Sequence, residues 1–61
     1  MAPEREVIFE FFRIGPSVKV TAVDADSGVE VVIVGDPAAG ETALKRLAVQ
    51  KLDYMIAKGK T

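Results

Sequence analysis

Three stretches of the first 35 residues are rich in apolar residues, and hydrophobic and polar positions alternate clearly along the second of them. Residues 6–14 (EVIFEFFRI) are rich in β-branched and aromatic side chains, which are typical of strands. Residues 18–24 (VKVTAVD) and 29–35 (VEVVIVG) have a similar pattern. Gly15-Pro16 and the run from Asp24 to Gly28 separate these stretches, and both are typical turn sequences. The pattern therefore predicts three strands joined by two tight turns.

The pattern changes its period after Gly35. Apolar residues then recur at the three- and four-residue spacing of an amphipathic helix. Asp36 and Pro37 suit the cap and the first residue of this helix, but the helix can equally begin near Gly40. Its start therefore lies between Pro37 and Glu41. The residues expected to face the sheet are Leu44, Leu47, Ala48, Leu52, Met55 and Ile56.

These elements together predict an α+β fold in the order β-β-β-α. We expect a three-stranded antiparallel meander with one C-terminal helix packed on one face. The chain has no internal repeat and no linker, so residues 6–59 form a single domain. Residues 1–5 have no apolar anchor and are expected to be disordered, and residues 60–61 are expected to fray.

The two turns decide which side chains share a face of the sheet. We take Gly15-Pro16 as the central residues of the first turn, and residues 25–28 as a loop that pairs Asp24 with Val29. One face is then almost wholly apolar, and the helix is expected to cover it. A one-residue bulge at Gly28 would instead turn the third strand over. The apolar face holds Val7, Phe9, Phe11, Val18, Val20, Ala22, Val29, Val31 and Ile33.

The opposite face of the sheet has no element to cover it, because the chain has only one helix. Most of its residues are apolar, although Glu10, Lys19 and Glu30 interrupt them. A surface of this kind is typical of an interface, but scattered charges can also make it tolerable in a monomer. The third strand adds a free edge on which Glu30 is the charged residue. We expect a homodimer whose interface uses Ile8, Phe12, Val23, Val32 and Val34.

The composition limits both the stability and the chemistry of the chain. A core built from 61 residues rarely supplies more than roughly 3–5 kcal/mol. The chain has no cysteine and no histidine, so it lacks disulfides, the commonest metal ligand and the usual general base. Self-association remains as a further source of stability. The sequence shows no nucleophile, cofactor motif or set of metal ligands, so we expect a non-enzymatic protein without cofactor or metal.

Two short segments resemble binding motifs but depart from them at decisive positions. Residues 35–42 match the phosphate-binding pattern G-x-x-x-x-G-K-[ST], except that Glu41 replaces the lysine. Residues 24–28 resemble the start of a calcium loop, but Gly35 stands where that loop needs a glutamate. We interpret the first segment as a helix-capping loop and the second as a hairpin turn.

Charge is distributed unevenly along the chain. Residues 1–41 carry eight acidic and three basic side chains (−5), and residues 42–61 carry one acidic and five basic side chains (+4). Three strands followed by a basic helix resemble the latter part of double-stranded-RNA-binding domains, although Gly40-Glu41 replaces their lysine pair. The alternative function is therefore weak nucleic-acid binding by Lys45, Arg46 and Lys51. A solvated helix face explains the same residues.

The sequence also indicates a location. No apolar run approaches the roughly 20 residues that cross a bilayer, and the first residues (MAPEREV) lack the pattern of a signal peptide. We therefore expect a cytoplasmic protein that does not contact membranes. Its expected partner is a second copy of itself, and the alternative partner is an unidentified protein.

The chain from residue 6 to 59 resembles a family of small uncharacterised domains found in alphaproteobacteria. The segments that carry the resemblance are FEFFRIG, SVKVTAVD, IVGDPAAG and the helix with ALKR and KLDY. Members have sometimes carried a serine hydroxymethyltransferase label, but no pyridoxal-phosphate fold fits in a chain of this length. The resemblance implies a βββα domain of unknown function that self-associates. It implies no catalytic residues.

Overall fold

Three strands and one helix follow each other in the order that the sequence predicts. Strand β1 spans Val7–Ile14, β2 spans Ser17–Asp24 and β3 spans Glu30–Gly35. A 3-10 turn at Pro37–Ala39 leads into helix α1, Glu41–Gly59. The strands form one antiparallel sheet in the order β1-β2-β3. This computed structural model describes residues 5–59 and confirms the α+β fold.

The first hairpin has the predicted two-residue turn. Ile14 pairs with Ser17, which leaves Gly15 and Pro16 as the central residues of the turn. Gly15 has a φ of 55°, a conformation that glycine adopts without steric strain. Further along the hairpin, Phe11 pairs with Val20 as expected.

The second hairpin also has the predicted register. The backbone N–H of Asp24 donates a hydrogen bond to the carbonyl of Val29 over 2.9 Å, so residues 25–28 form the four-residue loop. Pairing continues regularly from Val23 opposite Glu30, and no bulge forms at Gly28. The loop is closed by a hydrogen bond from the Gly28 N–H to the Asp24 carbonyl at 2.8 Å.

Helix α1 covers one face of the sheet, where it packs on β2 and β3 to nearly the same extent and contacts β1 far less. The buried core lies between the helix and these two strands. Phe9, Phe11 and Ile56 pack against the core but stay partly exposed. The core consists of Val18, Val20, Ala22, Val31, Leu44, Ala48 and Leu52.

Two residues that we expected in the core are exposed instead. Leu47 is 51% exposed and Met55 is 42% exposed. Leu44 touches the end of β3 near Gly35, while Lys51 reaches Val32, so α1 runs antiparallel to β3. At 1.5 Å per residue, Met55 lies about 6 Å beyond Lys51 and thus beside the first residue of β3. Because β3 begins only there, little of the strand covers the Met55 side chain, whereas Leu47 lies to one side of the core stripe.

The segment between β3 and α1 is a helix-capping loop, as we interpreted it. The Asp36 carboxylate accepts a hydrogen bond from the Ala38 N–H at 2.9 Å and caps the 3-10 turn that starts at Pro37. Gly40, with a φ of 91°, ends this turn, and α1 begins at Glu41. Both starts that the sequence left open are therefore used, the first for the 3-10 turn and the second for the α-helix.

Arg5 joins the N-terminal segment to the folded domain. Its guanidinium Nη1 lies 2.5 Å from Asp53 Oδ1 on α1, and its Nε lies 3.8 Å from Asp24 Oδ1. The remaining residues of the expected disordered and frayed ends, 1–4 and 60–61, lie outside the described residues. No helix within residues 5–59 is both long enough and apolar enough to cross a membrane.

Candidate interaction surface

The sheet face opposite α1, called the open face here, carries five of the eight large hydrophobic side chains that are exposed within residues 5–59. No element within residues 5–59 covers it. Phe12 and Val34 are 62% and 64% exposed, although both lie in regular strands. All five predicted interface residues share this face, and Val23 on the central strand is the most protected of them. The open face consists of Ile8, Glu10, Phe12, Ile14, Ser17, Lys19, Thr21, Val23, Glu30, Val32 and Val34.

Each of the three complete rows across the open face contains one charged side chain. The rows are Ile8–Val23–Glu30, Glu10–Thr21–Val32 and Phe12–Lys19–Val34. In the last row, the Lys19 Nζ lies 5.8 Å from the centroid of the Phe12 ring, so the lysine leans toward β1. Lys19 therefore does not cover Val34, which lies at the β3 end of that row.

The outer edge of β3 is free of any strand within the described part of the chain. Backbone groups of alternate residues point to opposite sides of an antiparallel strand. Because the Val29 carbonyl bonds to Asp24 on β2, the groups of Glu30, Val32 and Val34 point outward. The Val32 carbonyl accepts a hydrogen bond from the Lys51 Nζ at 2.9 Å. Lys51 thus covers the middle of an edge that could otherwise bind another strand.

Helix α1 presents apolar side chains on the side that faces this edge. Leu47 and Tyr54 lie one turn before and one turn after Lys51, so all three share one side of the helix. Lys51 fixes that side as the one toward β3 through its contact with Val32. Tyr54 is 63% exposed, and Leu47 is also exposed. The apolar surface therefore continues from the edge of β3 onto the helix.

The three basic residues of the nucleic-acid alternative lie on different sides of α1. Lys45 turns toward β1, where its Nζ lies 5.4 Å from the centroid of the Phe9 ring and 3.3 Å from the Glu41 carboxylate. Lys51 points to the opposite side, toward β3. Arg46 is exposed and lies about 100° further around the helix than Lys45. The structure does not bring these three residues together into one basic stripe.

A family model for a domain of unknown function matches residues 4–59 of the chain. The chain belongs to the DUF6898 family. No curated protein and no solved structure matches it. The three strands, the 3-10 turn and α1 all fall within the matched residues. The expectation of a small uncharacterised domain is therefore confirmed.

The described part of this DUF6898 domain offers neither a pocket nor a metal cluster. No ligand-sized pocket is present among residues 5–59, and no three acidic side chains there come close enough to hold a metal ion. The segment 24–28, which resembles a calcium loop, forms the hairpin turn that we interpreted it to be. The surfaces described above are therefore the features from which a function can be argued.

Two contributors to the surface could not be assigned from the sequence. The periodic pattern places Leu47 in the core and gives Tyr54 no role. Their signal in the sequence is the spacing of Leu47, Lys51 and Tyr54, which forms a second stripe beside the core residues. The spacing alone does not tell whether these residues are buried or exposed, because this depends on the lateral position of α1 on the sheet.

One buried carboxylate holds the second hairpin of the DUF6898 domain together. The Asp24 Oδ2 accepts a hydrogen bond from the Ser27 hydroxyl at 2.8 Å, and the backbone N–H groups of Asp26 and Ser27 also point to the carboxylate. The Ser27 hydrogen bond lowers the pKa of Asp24 most, and burial opposes this effect. The Arg5 guanidinium lowers the pKa further. The net result is an Asp24 pKa below its ordinary value of 3.8.

We expect this carboxylate to make the stability of the domain depend on acid. Between the lowered and the ordinary pKa, the unfolded chain binds more protons at Asp24 than the folded chain does. The contribution is complete above the ordinary pKa and is lost as the pH falls through the lowered one. Urea unfolding at a series of pH values from about 6 down to about 2.5 measures this loss.

Two variants separate Asp24 from the other carboxylates. Asp24→Asn is expected to have a smaller loss of unfolding free energy toward low pH than the wild type has. Asp26→Asn, at an exposed neighbour in the same turn, is expected to keep the wild-type dependence. If Asp24→Asn lost stability with pH as steeply as the wild type, Asp24 would not be the responsible group.

Proposed function

We propose that this domain is a non-enzymatic protein-interaction module that forms a homodimer through β3 and the adjoining open face. The supporting observation is the exposed apolar surface that runs from the open face to the free edge of β3. Apolar patches of this kind and strand edges without a neighbouring strand are typical of surfaces that bind a partner. We also propose that the protein is located in the cytoplasm.

The small core supports self-association as the reason for this surface. Within residues 5–59, the buried core lies between α1 and the strands β2 and β3, and Phe9 and Phe11 on β1 stay partly exposed beside it. A domain of this size buries about 60% of the surface of its unfolded chain and is marginally stable on its own. Association with a second copy adds stability because only the folded form binds. The separation of Lys45 and Lys51 gives nucleic-acid binding less support.

Sedimentation equilibrium at several concentrations tests the proposal. The wild type is expected to have a mass near twice its 6.5 kDa. Val32→Lys is expected to weaken the dimer by roughly tenfold or more, because the two copies would bring their new ammonium groups close together across the contact, where like charges repel. Val32 is partly exposed in the single domain, so this change is expected to leave the fold intact.

The matched control adds the same side chain elsewhere. Ala57→Lys lies on the exposed part of α1 and is expected to keep the wild-type mass. A wild-type mass of 6.5 kDa at every concentration would contradict self-association. Titration with a short RNA duplex measures the alternative in the same samples. Binding that is lost on Lys45→Glu and Arg46→Glu, in a monomeric protein, would favour the nucleic-acid function instead.

A further inference from the structure

We infer that two copies join edge to edge, so that β3 of each copy pairs with β3 of the other in a continuous six-stranded antiparallel sheet. Both α1 helices then pack side by side on the same face of that sheet. The inference rests on the proposed self-association and narrows the contact to the edge of β3 and to α1, so Ile8, Phe12 and Val23 of the open face lie outside it. Three observations support it: the outward backbone groups of β3, the charges beside them, and the position of α1.

The outward backbone groups of β3 fix the register of the pairing. In a two-fold antiparallel pair, two opposite residues exchange both hydrogen bonds only if both point outward. Placing Val32 opposite Val32 of the second copy brings Glu30 opposite Val34 at each end. All three outward residues of each copy are then paired. A shift by two residues in either direction leaves one of them without a partner.

The charges on the open face agree with this register. Val34 has Lys19 as its neighbour on β2. In the proposed pairing, its other neighbour is Glu30 of the second copy. Lys19 and that glutamate therefore lie in one row on either side of Val34, and the two-fold axis repeats the arrangement. Lys19 leans toward Phe12 in the single copy and would have to turn toward β3 to approach that glutamate. With that change, opposite charges on either side of Val34 favour the pairing.

The lateral position of α1 gives an independent argument. Because α1 lies over β2 and β3 about equally, its axis is about one strand spacing from the two-fold axis beyond β3. The two helix axes are then about 9–10 Å apart, which is the distance at which helices pack. The sheet twist over two strands also gives a crossing angle of roughly 40–50°, close to the commonest angle between packed helices.

This arrangement covers the exposed apolar residues of α1. Leu47 and Tyr54 lie on the side toward β3 and would meet the helix of the second copy. A contact between two open faces would leave both side chains in solvent, because α1 lies on the opposite side of the sheet. The edge-to-edge geometry therefore accounts for the apolar surface on the helix as well as for the free strand.

Lys51 acts as a guard on this contact. In the single copy the Lys51 Nζ donates a hydrogen bond to the Val32 carbonyl. In the paired sheet that carbonyl must instead accept a hydrogen bond from the backbone of the second copy. Pairing also brings the two Lys51 ammonium groups toward the two-fold axis, where they repel each other. Dimer formation thus requires Lys51 to release Val32. Removal of this amino group should favour the dimer.

Replacement of the guard tests the geometry directly. Lys51→Met keeps the length of the side chain and removes the charge, so the dissociation constant is expected to fall by roughly tenfold. Arg46→Met is the matched control, since it removes one positive charge from the outer side of the same helix. Its dissociation constant is expected to match the wild type. A dissociation constant that does not change in Lys51→Met would overturn the edge-to-edge geometry.

Disulfide mapping tests the register, because the chain has no cysteine of its own. Val32→Cys is expected to form a covalent dimer on oxidation, since opposite Cα atoms in such a pair lie about 5.5 Å apart. A mixture of the Glu30→Cys and Val34→Cys variants is expected to form a covalent dimer, because Glu30 of one copy lies opposite Val34 of the other. Neither variant is expected to cross-link on its own. Phe12→Cys is the control, because the two β1 strands would be about 24 Å apart.

The outcomes separate the geometry from self-association itself. A wild-type dimer that cross-links through Phe12→Cys rather than Val32→Cys would overturn the edge-to-edge pairing and indicate contact between open faces. Dissociation of the dimer by Phe12→Glu would have the same meaning. A wild type that is monomeric at every concentration would contradict the proposed function and, with it, this geometry. Cross-linking at Val32 in a wild-type dimer would support both.

Discussion

Replacement of Leu52 by alanine is expected to leave the chain largely unfolded at room temperature. Leu52 is 0% exposed and lies where α1 meets β2 and β3. Removal of a buried leucine side chain costs about 2–5 kcal/mol, since the site cannot fully collapse around the cavity. A single core of this size rarely supplies more than roughly 3–5 kcal/mol in total. Circular dichroism and urea unfolding measure the loss.

Leu47→Ala is the matched control for this prediction. It removes the same atoms from the same helix, but from an exposed position, and it is expected to cost about 0.5 kcal/mol or less. The comparison is made at concentrations at which the protein is monomeric, because Leu47 also belongs to the proposed contact. Equal losses in the two variants would mean that α1 turns a different side toward the sheet.

Gly35→Ala is expected to have the second-largest effect, a loss of about 1–3 kcal/mol. A Cβ at this position would lie 2.5 Å from the Leu44 Cδ2, closer than carbon atoms approach in real structures. Leu44 is buried, so its side chain cannot swing into solvent to relieve the overlap. The end of β3 and the start of α1 would have to separate. Urea unfolding measures the change in the free energy of unfolding.

Two comparisons test the cause of this loss. A Cβ at Gly59 would meet no atom within 4 Å, so Gly59→Ala near the end of α1 is expected to be neutral or slightly stabilising. In a Leu44→Val background the overlapping Cδ2 is gone while most of the buried side chain remains, and Gly35→Ala is expected to cost much less there. If it cost the same in both backgrounds, the overlap with Leu44 would not be the reason.

The pairing of the strands could be predicted because its determinants are local. Gly15-Pro16 and the loop from residue 25 to 28 fix how the strands meet, and the alternation of side chains then assigns each residue to a face. The same reasoning identified the open face, since one helix covers only one side of a sheet. The sites named there, from Ile8 to Val34, lie where the alternation places them.

The placement of the helix could not be predicted in this way. The spacing of apolar residues along α1 defines an arc, but it does not say how far the helix lies toward one edge of the sheet. The offset toward β3 leaves Leu47 and Tyr54 exposed and brings Lys51 to Val32. Contacts of this kind join residues far apart in the sequence. The closeness of Arg5 to Asp53 is another contact that no local pattern indicates.

Side chains alternate between the two faces of β3, so the neighbouring valines Val31 and Val32 are constrained by different contacts. Val31 is 5% exposed and packs in the core, whereas its neighbour Val32 is 40% exposed on the open face. A change at Val31 must be matched within the same chain, by residues of α1 and β2. Under the proposed function, a change at Val32 must be matched by a second molecule. Adjacent positions of equal chemistry can thus evolve independently, one with the fold and the other with its partner.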